Sequence, residues 1–154
     1  MTDEIRAATL TARVASRVLA QASESERNAA LEAMALAIES RAGEILEANA
    51  QDMAAADQML SDGKLSQALV DRMKLSDSKI ANTIVVGVRS VASQPDPIGY
   101  TQASTELDKD LKLYRVSVPI GVIGVVFESR PDALVQIATL CLKSGNAVLL
   151  KGGS

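Results

Sequence analysis

Gly121-Val122-Ile123-Gly124-Val125-Val126-Phe127, then Pro131 and a helical run to Lys143, then Ser144-Gly145-Asn146 and Ala147-Val148-Leu149-Leu150: this succession decides the fold. The first run is apolar on both faces, which is the pattern of a strand inside a parallel sheet. Pro131 suits the first turn of a helix, where its missing N–H costs nothing. Behind it Leu134, Ile137, Ala138, Cys141 and Leu142 share one helical face. Ser144-Gly145-Asn146 ends that helix with a glycine cap, and the last run is a second short apolar strand. Strand, crossover helix, strand is one βαβ unit, so the fold class is α/β with a parallel sheet. Two strands covered on both faces need a larger sheet and more helices than one such unit holds. The expectation is a piece of a longer enzyme, or a chain whose sheet a partner completes.

Before this unit the pattern changes. Residues 1–93 are Ala-rich, lack proline and carry the whole net charge of −3, whereas residues 94–154 are neutral and hold all four prolines. The first part reads as helices. Ile5, Ala8, Ala12, Ala15 and Leu19 recur at helical spacing, and so do Leu31, Met34, Ala35 and Ile38. Ser23 with Glu26 forms a capping box at the head of the second stripe. Leu46, Ala50, Met53, Ala56 and Leu60 make a third stripe, stopped by Ser61-Asp62-Gly63. A short turn is expected over Gln67–Arg72. Ser76 then caps a helix carrying Ile80, Ile84, Val88 and Val91. Ser93 to Gly99 is a rigid connector, because Pro95 and Pro97 remove two backbone donors. Residues 100–118 read as two strands about a turn at Asp108-Lys109-Asp110, with a slip of phase near Tyr114 and Arg115 that fits a bulge.

Composition removes several functions. The chain has no His, so it cannot supply a His general base, a Ser-His-Asp triad or a His-ligated metal site. One Cys excludes an internal disulfide and a Cys-cluster zinc site, and suits a reducing compartment. Mild acidity and 2% aromatic residues argue against nucleic acid and anionic membranes as partners. The acidic start is unlike a signal peptide, and no apolar run approaches the roughly 20 residues of a membrane span, so a cytoplasmic protein is expected.

Two stretches carry a resemblance. Val118 to Asp132 contains strand–Glu128-Ser129-Arg130-Pro131, and Cys141 to Ser154 reads Cys-Leu-Lys-Ser-Gly-Asn–strand–Lys-Gly-Gly-Ser. This order resembles the γ-glutamyl phosphate reductases (glutamate-5-semialdehyde dehydrogenases), a branch of the aldehyde dehydrogenase superfamily. The helical part, with Asn49 and Asp71-Arg72-Met73-Lys74-Leu75, is similar to the start of that family's sequence. The resemblance implies an aldehyde-dehydrogenase-like fold in three sections. Residues 1–93 would be the helical segment of the cofactor-binding domain, 94–118 a connector and β-hairpin used in oligomerisation, and 119–154 the start of an NADP-binding core. It implies NADPH-dependent reduction of γ-glutamyl phosphate to glutamate 5-semialdehyde with release of phosphate, in proline biosynthesis. It also implies a small-molecule substrate and a homo-oligomer. The alternatives are another enzyme of the superfamily, or a non-catalytic oligomerisation or partner-binding module.

The resemblance also bears on single residues. The family works through a cysteine thiolate, but Cys141 lies mid-helix on an apolar face, where a thiol is inert. The nucleophile is expected beyond Ser154. Lys151, Gly152 and Ser154, together with Glu128 and Ser129, are cofactor-binding candidates, since ligands of open α/β sheets sit outside the carboxyl ends of strands. Gly152 and Gly153 would let the chain turn close to a ligand. The plain alternative for Lys151 is a solvated strand-end lysine. Arg130 stands where ordinary aldehyde dehydrogenases have the Asn of Pro-Trp-Asn, so that residue's oxyanion role does not transfer. A guanidinium there suits an anionic substrate, its carboxylate or its leaving phosphate. The alternative is an ion pair with Glu128 or Asp132. Gly121 and Gly124 lie within the strand and read as close-packing positions rather than a dinucleotide fingerprint. Glu106, Asp108 and Asp110 read as a solvated turn.

Overall fold

The structure, a computed structural model, describes residues 2–128 and 130–152. Among the described residues, seven α-helices and two small sheets follow one another. They are α1 (Asp3–Leu19), α2 (Glu24–Ser40), α3 (Ala42–Ser61), α4 (Gln67–Met73), α5 (Asp77–Lys79) and, beyond a π-helical stretch (Ile80–Val85), α6 (Val86–Ala92). A hairpin of β1 (Thr101–Asp108) and β2 (Leu111–Val116) comes next, then β3 (Val122–Val126), α7 (Pro131–Lys143) and β4 (Ala147–Lys151).

The hydrophobic core lies in the helical layer. Leu31 and Ala35 of α2 meet Leu75, Ile80, Ile84, Val85 and Val88, and Val135 and Leu142 of α7 close over them. The stripes of α2 and of the segment 80–88 thus bury as their spacing requires. The π-helical turn between α5 and α6 is not visible in that spacing. The stripe of α1 holds less well. Ala12 is buried and Leu19 half-buried, Ile5 is exposed, and Ser16 turns inward in place of Ala15. The reason is that α1 packs on the narrow two-stranded sheet of β3 and β4 rather than on the helical core. Along α3, Ala56 is buried, Ala50 is exposed and a polar residue, Asn49, is buried. The segment 67–72, read as a turn, is the helix α4, because Leu69, Val70 and Met73 pack it beneath α3.

Local chemistry sets the helix ends. At the head of α2 the Ser23 Oγ accepts from the Glu26 N–H, while the Ser23 N–H donates to the Glu26 carboxylate at 2.7 Å. The Ser76 Oγ accepts from the Lys79 N–H. α3 and α7 both close on a glycine with positive φ, Gly63 at 71° and Gly145 at 69°. In each, the next N–H reaches back to the helix, Lys64 to Met59 O and Asn146 to Cys141 O, both at 2.8 Å. At Gly145 a side chain is excluded twice over. Its φ is left-handed, and an added Cβ would lie 2.7 Å from Ile98 Cδ1 and 3.0 Å from Pro119 Cγ. The connector therefore presses directly on the cap of α7. Its other end is held by buried Arg27, whose Nη2 donates to both Asp96 oxygens at 2.6 and 2.7 Å.

The carboxylate of Glu26 is held below its ordinary range, first by the Ser23 N–H and then by the Ser23 hydroxyl. Those of Glu39 and Glu44 are lowered by hydrogen bonds from Arg89 and Arg41. A group whose folded pKa is depressed adds stability above its unfolded value, near 4.5, and loses it as pH falls through the folded value. Stability should therefore drop between about pH 6 and pH 3, and by less in Glu26→Gln. Urea midpoints across that range check it; equal slopes for the two proteins would mean that Glu26 contributes nothing.

β1 and β2 pair antiparallel about Lys109-Asp110, with Asp110 at φ 64°. The register slips between Thr101 and Ala103, opposite Val116 and Arg115, where the sequence loses its phase. Every residue of both strands is exposed, including Leu111 and Leu113. β3 and β4 pair in parallel, with α7 as the crossover. Burial of β3 is less complete than its sequence suggests. Val126 is 80% exposed, and an added Cβ at Gly124 would meet nothing within 4 Å. Gly124 is therefore not a close-packing position among the described residues. Gly121 serves a turn instead, at φ 118°, where its N–H donates to Asn146 Oδ1 at 2.8 Å.

Candidate functional site

Parallel pairing decides which residues meet. Val126 stands opposite Lys151, and the Phe127 N–H donates to Lys151 O at 3.0 Å. The two strands thus end together, and Glu128 and Gly152 leave the sheet side by side. Glu128, Lys151 and Gly152 thus share the carboxyl-end rim of the sheet, and Arg130 follows at the head of α7; Ser129, Gly153 and Ser154 lie outside the described residues.

Lys151 is exposed and its Nζ donates to Gly152 O at 2.6 Å. Among the described residues it pairs with no carboxylate. Glu128 is exposed as well and makes no ion pair there. An added Cβ on Gly152 would sit 3.8 Å from Phe127 Cζ, an ordinary contact, so this glycine supplies room rather than a special conformation.

Arg130 caps α7, with extended backbone and Pro131 in the first turn. Its Nη2 lies 3.4 Å from Asp132 Oδ2, while its side chain stays 54% exposed. The ion pair with Asp132 is therefore real, and none forms with Glu128 among the described residues. Asp132 is buried, and its other oxygen faces Lys79 Nζ at 3.6 Å without a hydrogen bond. A buried carboxylate between two cations thus contacts the guanidinium, which stays half-exposed. Cys141 stays apart from this chemistry. It is buried, and burial pushes its thiol up from the ordinary value, away from the reactive thiolate.

Beside Arg130 opens a cavity of about 390 Å³. Phe127, Arg130, Pro131 and Leu134 form one wall, and Asp52, Ala55, Ala56 and Met59 of α3 the other. Asn49 fixes the second wall. Its Nδ2 donates to Met73 O at 2.9 Å and its Oδ1 accepts from the Leu75 N–H at 2.8 Å. Both ends of this buried amide are used, so α3 is clamped to the segment after α4. Sequence reasoning missed the cavity and Asp52. The available signal was that Asn49, Asp52, Ala56 and Met59 share one helical face, where two polar residues interrupt an apolar stripe.

No family model matches the chain. The γ-glutamyl phosphate reductase of Natronomonas pharaonis is 58% identical over 154 residues, covering 100% of this chain and 35% of that protein. That of Methanosarcina barkeri is 52% identical and is covered to 34%. The chain thus spans about a third of the length of these curated relatives. Among solved structures, γ-glutamyl phosphate reductase from Saccharomyces cerevisiae superposes with a TM-score of 0.90 at 36% identity, over 100% of this chain and 38% of that one. The Thermotoga maritima enzyme gives 0.88 at 37% identity, over 98% and 35%.

Proposed function

We propose, from the premise that this chain is a γ-glutamyl phosphate reductase sequence along all of its 154 residues, that the protein to which it contributes reduces γ-glutamyl phosphate to glutamate 5-semialdehyde and phosphate. The step belongs to proline biosynthesis, and the cytoplasm is its setting. One observation on the molecule supports the reading: a strand-end rim whose lysine pairs with no carboxylate among the described residues, followed at the head of α7 by an arginine that lines a cavity. An acyl phosphate and a dinucleotide are both anionic, and this rim offers each of them a cation.

Lys151 suits the ribose or phosphate of a dinucleotide, being exposed at the end of β4 and bonded, among the described residues, only to a carbonyl. Gly152 leaves space beside it, and Glu128, with Ser129 and Ser154, completes the set of cofactor-binding candidates. NADPH, when bound, supplies the hydride. Arg130 orients the anionic substrate, and Asp132 keeps the guanidinium in place. The nucleophilic thiol comes from outside these residues, since Cys141 is buried and inert. Residues 1–93 and 119–154 then serve the cofactor-binding domain, while the hairpin in 94–118, exposed on both faces, is an oligomerisation arm.

The test is Lys151→Ala in the complete reductase. The KM for NADPH should rise about tenfold with kcat little changed, as when binding common to ground and transition state is removed. Tight NADPH binding in the variant would take Lys151 out of the cofactor site. Absence of NADPH-dependent turnover in the parent protein would end the reductase reading.

A further inference from the structure

The cavity beside Arg130 has charges of both signs on facing walls. Arg130 stands at the head of α7 and Asp52 on α3, and Phe127, Ala56, Met59 and Leu134 give the same lining its apolar part. Its volume of about 390 Å³ lies at the small end of ligand sites, which span about 300–1,000 Å³. Asn49 spends one amide N–H and one oxygen lone pair on the Met73 carbonyl and the Leu75 N–H, which fixes its side chain in the cavity lining. Asp52 differs, since its carboxylate is exposed and makes no hydrogen bond or ion pair among the described residues.

We infer that this cavity takes the amino-acid end of the substrate, with Arg130 on the α-carboxylate and Asp52 as the residue that selects the α-ammonium. The inference rests on the reductase reading for the identity of the substrate and deepens it. A phosphate dianion is a poor occupant, since Asp52 would repel it. A simple carboxylate would satisfy Arg130 and leave Asp52 unpaired. A zwitterionic head group, with both charges on one carbon, satisfies both, and the apolar residues of the lining cover the methylene chain that leads away from it. Asp132 is a positioning residue here. Buried and facing Lys79 with its other oxygen, it aims the guanidinium without reaching the ligand.

Calorimetric binding of L-glutamate and of glutarate to the complete, cofactor-free protein tests this. The two ligands differ only in the ammonium. The parent protein should bind glutamate at least about tenfold more tightly than glutarate, the lower range for a charge-assisted hydrogen bond. Asp52→Asn should abolish that preference with glutarate affinity kept or improved, while Asp52→Glu should retain part of it. Arg130→Ala should weaken both ligands. Equal affinity for the two in the parent, or an unchanged ratio in Asp52→Asn, overturns the inference. The parent comparison decides even if Asp52→Asn fails to fold. Oxidation of glutamate 5-semialdehyde with NADP and phosphate is measured in parallel. Preference for glutamate without that turnover would sink the reductase reading and leave the cavity's specificity standing; turnover without the preference would do the reverse.

Discussion

Under the proposed function, Arg130→Ala in the complete protein is expected to raise the KM for the acyl phosphate about 10- to 100-fold. That is the worth of a hydrogen-bonded charge pair, roughly 1.5–3 kcal/mol. The guanidinium is half-exposed, so its loss opens no cavity in a core. Asp132 keeps Lys79 as a neighbour at 3.6 Å, which limits the cost of stranding a buried carboxylate. Thermal stability should therefore move little while KM moves much. A fall in melting temperature with unchanged KM would reduce Arg130 to a structural partner of Asp132. Asp132→Asn gives a second view. A neutral amide holds the arginine less firmly, so KM should rise by a smaller factor, again with little effect on kcat.

Lys143→Met is expected to cost about 3 kcal/mol of stability, the lower end for breaking a buried charged network. The Lys143 side chain is 4% exposed, and its ammonium donates to Asn28 Oδ1 at 2.9 Å, Ala92 O at 3.0 Å and Glu24 Oε1 at 3.2 Å. All three protons are used. One ammonium thus joins the first turns of α2, the last carbonyl of α6 and the end of α7, where a cation also suits the helix dipole. Methionine fills the volume and removes every donor, leaving the Ala92 carbonyl and the Asn28 amide without one. Glu24 is 44% exposed, so water can serve its carboxylate, which keeps the expected loss at the low end. Urea denaturation measures it. A loss below about 1 kcal/mol would mean that desolvating the ammonium costs nearly as much as its bonds return.

These two residues lie in the same short stretch of sequence, and only one was legible there. Arg130 drew attention because it follows an apolar strand and precedes a proline that starts a helix. That local grammar places it at a strand end, where ligands bind. Lys143 reads as an ordinary last-turn lysine. Nothing within several residues of it says that α2 and α6 converge on that point.

The same division runs through the molecule. Short-range chemistry determined the elements by itself: the Ser23–Glu26 box, the glycine closures at Gly63 and Gly145, the proline connector, the hairpin turn and the βαβ unit. Each cap and turn needs only atoms a few residues apart, and the runs of the βαβ unit are local too, although its strands pair 25 residues apart, so each element is written in spacing and residue type. Tertiary structure alone decided which surfaces were used. It turned Ser16 inward and left Ile5 and Val126 exposed, made a helix of residues 67–73, inserted a π-helical turn beneath α2, and set Asp52 across a cavity from Arg130. These outcomes depend on which distant segments pack together. A long polar side chain is buried with its bonds kept where donors and acceptors from several elements converge on it, as they do on Asn49 and Lys143.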